Sequence, residues 1–239
     1  MIPIEELLAS AKAHREKTGR PLVTLSYAQS LDGSLAVRRG SPLRLSGPES
    51  MEMTHRLRDA HDAILVGIGT VLDDDPRLNV RLVEGLPGRT PGHNDPQPVV
   101  LDSHLRFPLE RRLLRGGRRP WIAALPGADP QKKVQLEQRG ARILHLPPGE
   151  DGRVSLPALL GCLGEMGINS LMVEGGASVI ASFLAQGLVD RLVLTIAPLL
   201  VGGLHIEIGQ DAISYRMDHV GYERLGEDLV VWGAISSQL

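Results

Sequence analysis

Two features of the sequence predict an α/β fold, and a third sets its edge. Short apolar runs of strand length recur at residues 21–28, 63–66, 98–102, 120–125, 141–146, 170–173 and 191–196. Segments with helical spacing and helix-start residues stand between several of them. Near the end, residues 220–224 and 228–232 flank Gly226 as two arms of a hairpin. Strands alternating with helices favour a mainly parallel central sheet flanked by helices, here with a C-terminal antiparallel hairpin.

The elements follow in order. Residues 4–17 form an amphipathic helix, with Pro3 at its first turn, Glu5 and Glu6 at the positive end of the dipole and Lys12, Arg15 and Lys17 toward the other end. Residues 1–20 are thus an N-terminal helix ahead of one domain over 21–239. After the first strand, Asp32-Gly33 marks a tight turn, since glycine accepts positive φ. Ser46-Gly47-Pro48-Glu49 starts a helix that runs to about Arg58. Residues 85–98, rich in Gly and Pro, form a loop. Helices follow at 132–138, 156–166 and 178–186.

Composition narrows the function. The 239 residues are 42% apolar, enough for a core, and carry a net charge of −2, which gives a nucleic acid nothing to hold. Most of the 26 lysines and arginines lie in the first half, which favours a small anion there. Cys162 is the single cysteine, so no internal disulfide or cysteine-based zinc cluster forms, and its apolar neighbours make it a core residue. The eight histidines show no metal spacing. Glu5 and Glu6 stand where a secretory leader would need positive charge, and no run approaches the roughly 18 apolar residues of a membrane span. A cytoplasmic protein without a membrane partner is expected.

Two stretches carry candidate chemistry. The first is the strand at 63–66 followed by Gly67-Ile68-Gly69-Thr70, then Asp73, Asp74, Asp75, Pro76, Arg77 and Arg81. Glycines let the backbone approach a ligand, so this stretch is either a site for a polar, phosphorylated ligand or a turn with a solvated charged loop. The second is Glu174-Gly175-Gly176-Ala177-Ser178 between a strand and a helix, where backbone N–H groups at a helix start can hold phosphate. Glu174 either binds amino, hydroxyl or amide groups of a ligand or caps the helix. Arg58 shares a helix face with Met51, Thr54 and His55, so its guanidinium either snorkels or binds an anion. Ser103 follows a strand end, where open α/β sheets bind ligands.

Five motifs in register carry a family resemblance: Ser30-Leu31-Asp32-Gly33, Val66-Gly67-Ile68-Gly69-Thr70-Val71-Leu72-x-Asp74-Asp75-Pro76-Arg77-Leu78, Leu101-Asp102-Ser103, Val173-Glu174-Gly175-Gly176, and Gly187-Leu188-Val189-Asp190 with Ile196-Ala197-Pro198. They cover the chain from Pro21 onward. The chain resembles the pyrimidine reductases of riboflavin biosynthesis, found alone or fused behind a deaminase. That resemblance implies a dihydrofolate-reductase-like fold, NADPH as cofactor, a phosphorylated pyrimidine substrate and a homodimer. It places cofactor contacts at Ala28, Thr70, Asp74, Ser103, Gly175, Gly176, Ala177, Ser178, Val179, Ile180, Ala181 and Ser182. It places substrate contacts at Arg58, Leu78, Arg81 and Glu174, with Arg58 and Arg81 as clamps for the ribose phosphate. No proton donor emerges.

The implied reaction reduces the ribosylamino side chain of 2,5-diamino-6-ribosylamino-4(3H)-pyrimidinone 5′-phosphate, or of its deaminated form 5-amino-6-(5-phosphoribosylamino)uracil, to a ribitylamino product. Fused bacterial members carry Ser-x-Trp where this chain has Pro42-Leu43-Arg44, and Arg44 resembles the stand-alone reductases, which tilts the expectation to the diamino form. A single cysteine cannot build the deaminase zinc site. Two alternatives stay open: an NADPH-binding member without turnover, and a dihydrofolate-type reductase that would use Asp59.

Overall fold

The computed structural model describes residues 2–38, 40–41, 43–81, 95–207 and 214–238. Two short helices, α1 (Ile4–Leu8) and α2 (Ala11–Thr18), replace the single N-terminal helix that the charge pattern predicts. They break because they bury against different surfaces. Ile2 and Leu7 join a core cluster with Met53 and Leu57. Arg15, in contrast, reaches Asn169 Oδ1 at 2.8 Å and the carbonyl of Gly164 at 3.3 Å.

The remaining strands and helices alternate, with a helix over Ile68–Asp74 where the sequence predicts a turn. They are β1 (Leu22–Ser30), α3 (Pro48–Ala60), β2 (Ala63–Gly67), α4 (Ile68–Asp74), β3 (Gln97–Leu101), β4 (Trp121–Ala124), α5 (Pro130–Glu137), β5 (Arg142–His145), α6 (Leu156–Glu165), β6 (Ser170–Val173), α7 (Ala177–Ala185), β7 (Arg191–Ala197), β8 (Ser214–Leu225) and β9 (Asp228–Gln238). The sheet order is β5-β4-β3-β2-β6-β1-β7-β9-β8. Neighbours from β5 through β7 are parallel, and β9 runs antiparallel to both β7 and β8. The hairpin is longer than the sequence suggests, with an irregularity between Asp218 and Gly221. Of the loop predicted at 85–98, residues 85–94 lie outside the described residues, and Gln97 already belongs to β3.

Period-two alternation assigns each strand's residues to opposite faces of the sheet. Val23, Leu25, Leu65, Val99, Leu171 and Val173 face α6 and α7 through Leu159, Leu163, Ile180 and Phe183. Ile64, Val66, Val100 and Ile122 face the other side with Val71 of α4 and Leu136 of α5. Each fully buried aliphatic side chain of this kind contributes roughly 1.5–3 kcal/mol. Capping starts two of the helices. Asp129 accepts from the N–H groups of Gln131 and Lys132 ahead of α5, and Ser155 accepts from Ala158 N–H ahead of α6.

His61 is a satisfied core residue. Its Nδ1 meets the Leu57 carbonyl at 2.6 Å and its Nε2 meets Thr24 Oγ1 at 2.9 Å. Burial lowers its pKa to about 4. The Asp32 turn does more than reverse the chain. Its carboxylate accepts from the Ser30 and Ser34 hydroxyls and from the N–H groups of Val201 and Gly202. Those hydrogen bonds, the Ser30 bond foremost, hold the carboxyl well below the usual carboxylate range. They tie the end of β1 to the segment after β7.

Candidate active site

The inserted strand β6 decides where the site forms. It separates β1 from β2, with Leu25 and Leu65 both registered on Val173. Their carboxyl ends therefore deliver Ala28, Gly67 and Glu174 to one end of the sheet. A cleft of about 1360 Å³ opens there, lined also by the starts of α4 and α7, the outer face of α3 and the loop before α6. Small-ligand sites usually hold about 300–1,000 Å³, so this cleft has room for a dinucleotide and a second molecule.

Close packing of α7 against the strands shapes the cleft floor. A Cβ on Gly67 would sit 2.8 Å from Val179 Cγ2, and one on Gly175 would sit 2.5 Å from Val179 Cβ. Val179 alone therefore requires glycine at both positions, and both also line the cleft. Gly69 does face open space. Gly67-Ile68-Gly69-Thr70 is also no turn: Gly67 is the N-cap of α4, and Ile68 and Val71 anchor that helix in the core. At α7 the N-cap is Gly176, with no side chain closing the helix start. Its first N–H groups remain available to an anion.

Glu174 does not cap α7. Its carboxylate forms a bidentate pair with Arg58, with Nε to Oε1 at 2.7 Å and Nη2 to Oε2 at 2.6 Å. Arg58 also reaches the Asn79 carbonyl at 3.3 Å. Burial alone would lower the Arg58 pKa, but the Glu174 charge and hydrogen bonds outweigh it and the net shift is upward. Burial, followed by the charges of Arg58 and Arg77, lowers that of nearby Arg81. Arg81 thus lies within electrostatic reach of Arg58, Arg77 and Glu174.

The three aspartates of the charged stretch separate. Asp73 and Asp74 line the cleft, whereas Asp75 caps α4 with φ 45° and accepts from Arg112 N–H at 2.9 Å. Burial first, and Asp73 second, raise the pKa of Asp74.

Comparison with known proteins decides the family. Residues 21–231 match the model of the RibD C-terminal domain. The chain belongs to the RibD C-terminal domain family. It is 38% identical over 218 residues to 2,5-diamino-6-ribosylamino-4(3H)-pyrimidinone 5′-phosphate reductase of Archaeoglobus fulgidus, covering 89% of this chain and 97% of that one. The structure of Acinetobacter baumannii RibD superimposes with a TM-score of 0.81 at 25% identity, covering 96% of this chain and 62% of that one. Dihydrofolate reductase from Enterococcus faecalis has a TM-score of 0.51 at 14% identity, covering 89% of this chain and 96% of that one. The last shows the fold alone, which is dihydrofolate-reductase-like.

The residues singled out by resemblance to the RibD family do not all reach the cleft. Every cofactor position lines it except Ala181. Ser103 also accepts from Val154 N–H at 3.1 Å, which fixes the loop before α6 beside it. Of the substrate positions, Arg58 and Glu174 line the cleft while Leu78 and Arg81 do not. Leu78 has φ 50° and buries its side chain in the core beside Phe107 and Leu113. Arg81 is exposed and donates to Asn79 Oδ1 at 3.2 Å. Arg58 and Arg81, the clamps that the resemblance implies, are arranged differently here: Glu174 engages two nitrogens of Arg58, while Arg81 lies outside the cleft lining. Arg44 is exposed and lines the cleft, Pro42 lies outside the described residues, and Asp59 does not line the cleft.

Sequence reasoning passed over Ser26, Thr54, Arg106 and Thr195, which also line the cleft. One signal was available. Thr24, Ser26 and Ala28 alternate with Val23, Leu25 and Tyr27, so small and polar residues share one face of β1. No membrane-length apolar helix and no metal-binding cluster occur among the described residues.

Proposed function

We propose that this chain is an NADPH-dependent 2,5-diamino-6-ribosylamino-4(3H)-pyrimidinone 5′-phosphate reductase of riboflavin biosynthesis. The observation that carries the reading is the meeting, in one cleft, of an uncapped α7 start with the buried Arg58–Glu174 pair. The Archaeoglobus fulgidus relative, matched over nearly its whole length, bears the same activity in its name.

The residues fit a nicotinamide dinucleotide. The N–H groups at the start of α7 and the Thr70 hydroxyl would hold its pyrophosphate, and Ala28 leaves room for a flat ring over the ends of the strands. When bound, the dinucleotide supplies a hydride to C1′ of the ring-opened ribosylamine. The chain's own part is placement. Arg58, oriented by Glu174, would hold the substrate's polar groups, and Arg44, Arg58 and Arg81 together favour an anionic substrate. Asp74, exposed at the cleft wall, would accept from cofactor hydroxyls. Water or the substrate itself would protonate the nitrogen. Assembly as a homodimer and a cytoplasmic location belong to the same proposal.

The test is NADPH oxidation followed by absorbance, with the diamino and the deaminated pyrimidine offered separately. Turnover with the diamino compound is expected. Confirmed NADPH binding without turnover on either compound would replace the proposal with a non-catalytic binding protein or a reductase of another substrate.

A further inference from the structure

Two hydroxyls on the cleft floor open to the cleft and satisfy nothing in the fold. Ser26 on β1 is 7% exposed and Thr195 on β7 is 4% exposed, and both line the cleft. Among the described residues neither hydroxyl forms a hydrogen bond, and neither oxygen is among the fully buried unpartnered polar atoms, so both open to the cleft. The contrast with Thr24 is direct. It lies two residues before Ser26 on the same face of β1, and its hydroxyl meets His61 Nε2 at 2.9 Å. One hydroxyl row thus has a partner where it runs beneath α3 and none where it reaches the cleft. A hydroxyl that faces a cleft and bonds nothing in the fold is free to pair with a ligand there.

The sheet register puts these hydroxyls in a defined frame. Ala28 is registered on Thr195, and Leu25 on Val173, so Thr195 lies beside Ala28 and Ser26 beside Glu174. Glu174, Ser26, Ala28 and Thr195 therefore form one strip across β6, β1 and β7. Its centre is the methyl group of Ala28, small enough for a flat ring to rest on. A hydroxyl both donates and accepts, so two of them flanking a flat space suit a C=O group next to an N–H group.

We propose that Ser26 and Thr195 are ligand-reading residues whose hydroxyls pair with a planar carboxamide or lactam edge seated on this strip. The inference rests on the proposed function, which offers two sources of that edge: the carboxamide of the nicotinamide ring and the lactam of the pyrimidinone. The free protein leaves these hydroxyls open to solvent, and a bound ligand takes the place of that solvent.

The test uses Ser26→Ala, Thr195→Val and the rescue variant Thr195→Ser. Three quantities are read for each: the NADPH dissociation constant by fluorescence titration, the substrate KM at saturating NADPH, and the melting temperature of the free protein. Ser26→Ala and Thr195→Val should each weaken one ligand about tenfold, near the upper end for a single hydrogen bond. Their free-protein melting temperatures should stay about equal, because these hydroxyls bond to nothing in the fold. Thr195→Ser should restore affinity. A raised NADPH dissociation constant assigns the edge to the cofactor, and a raised KM with unchanged NADPH binding assigns it to the substrate. Wild-type affinities for both ligands in both variants would overturn the inference and leave the proposed function standing. So would a fall in melting temperature without loss of affinity, the mark of a structural role. Failure of the wild-type protein itself to bind NADPH would overturn the proposed function and, with it, this inference.

Discussion

Removing Arg58 alone should damage the fold as well as the chemistry, and removing Glu174 with it should cost less than the two removals added. The Arg58–Glu174 pair is close and bidentate, and the two side chains are only 11% and 14% exposed. Truncating one member of such a pair leaves the other charge desolvated without a partner, which costs about 3–5 kcal/mol in a closed interior. The pair borders an open cleft, so the lower end applies, about 3 kcal/mol. For a domain of this size that corresponds to a fall of roughly 6–12 °C in melting temperature. The assay is a double-mutant cycle on the free protein with Arg58→Met, Glu174→Gln and the combination, read by chemical and thermal unfolding. Each single change should destabilise by about 3 kcal/mol. The double variant should lose less than the two singles added, with a coupling of about 2 kcal/mol. The kinetics should diverge from the stabilities: the double variant loses about 4 kcal/mol instead of the roughly 6 of the two singles added, yet keeps a high substrate KM, since Arg58 is gone. Single changes that add within about 0.5 kcal/mol would refute the account of Glu174 as the group that orients Arg58.

Two further outcomes follow from the packing. His61 is neutral and buried with a pKa of about 4, against 6.5 for a free imidazole, so between those values the unfolded chain binds a proton that the folded chain refuses. Its contribution is fully present above about pH 6.5 and falls as pH drops through that window, on the order of 3 kcal/mol in total. Urea midpoints measured across that range should decline, and a variant lacking His61 should decline less; identical slopes would contradict the assignment. Gly67→Ala drives a Cβ into Val179 Cγ2 and should cost about 1–3 kcal/mol by overpacking. Adding Val179→Ala should recover most of that loss in a melting experiment, and no recovery would mean that Gly67 is needed for another reason.

The sequence was legible where local pattern and tertiary packing agree. Buried apolar runs such as Ala63–Gly67 announced the strands, and the helices expected at 132–138 and 156–166 fall on α5 and α6. It was less legible where packing overrode propensity. Two glycines in Gly67-Ile68-Gly69-Thr70 argue against a helix, yet Ile68 and Val71 find a core to bury in and α4 forms. β8 alternates exposed and half-buried residues and carries no apolar run, so its full length becomes visible only through its pairing with β9. At the site, resemblance named Arg58 and Glu174 as substrate positions. Their contact joins residues 116 positions apart and exists only once β6 is inserted between β1 and β2. The Asp32 clamp onto Val201 and Gly202 was hidden for the same reason.

The central claim is that this cleft directs reduction to the ribosyl carbon, not to the pyrimidine ring. Turnover of the diamino substrate with NADPH carrying deuterium at the transferable position tests it most directly, with the product read by mass spectrometry and NMR. The account predicts one deuterium at C1′ of a ribitylamino product. Deuterium in the pyrimidine ring, or NADPH bound by the protein with no transfer at all, would contradict it.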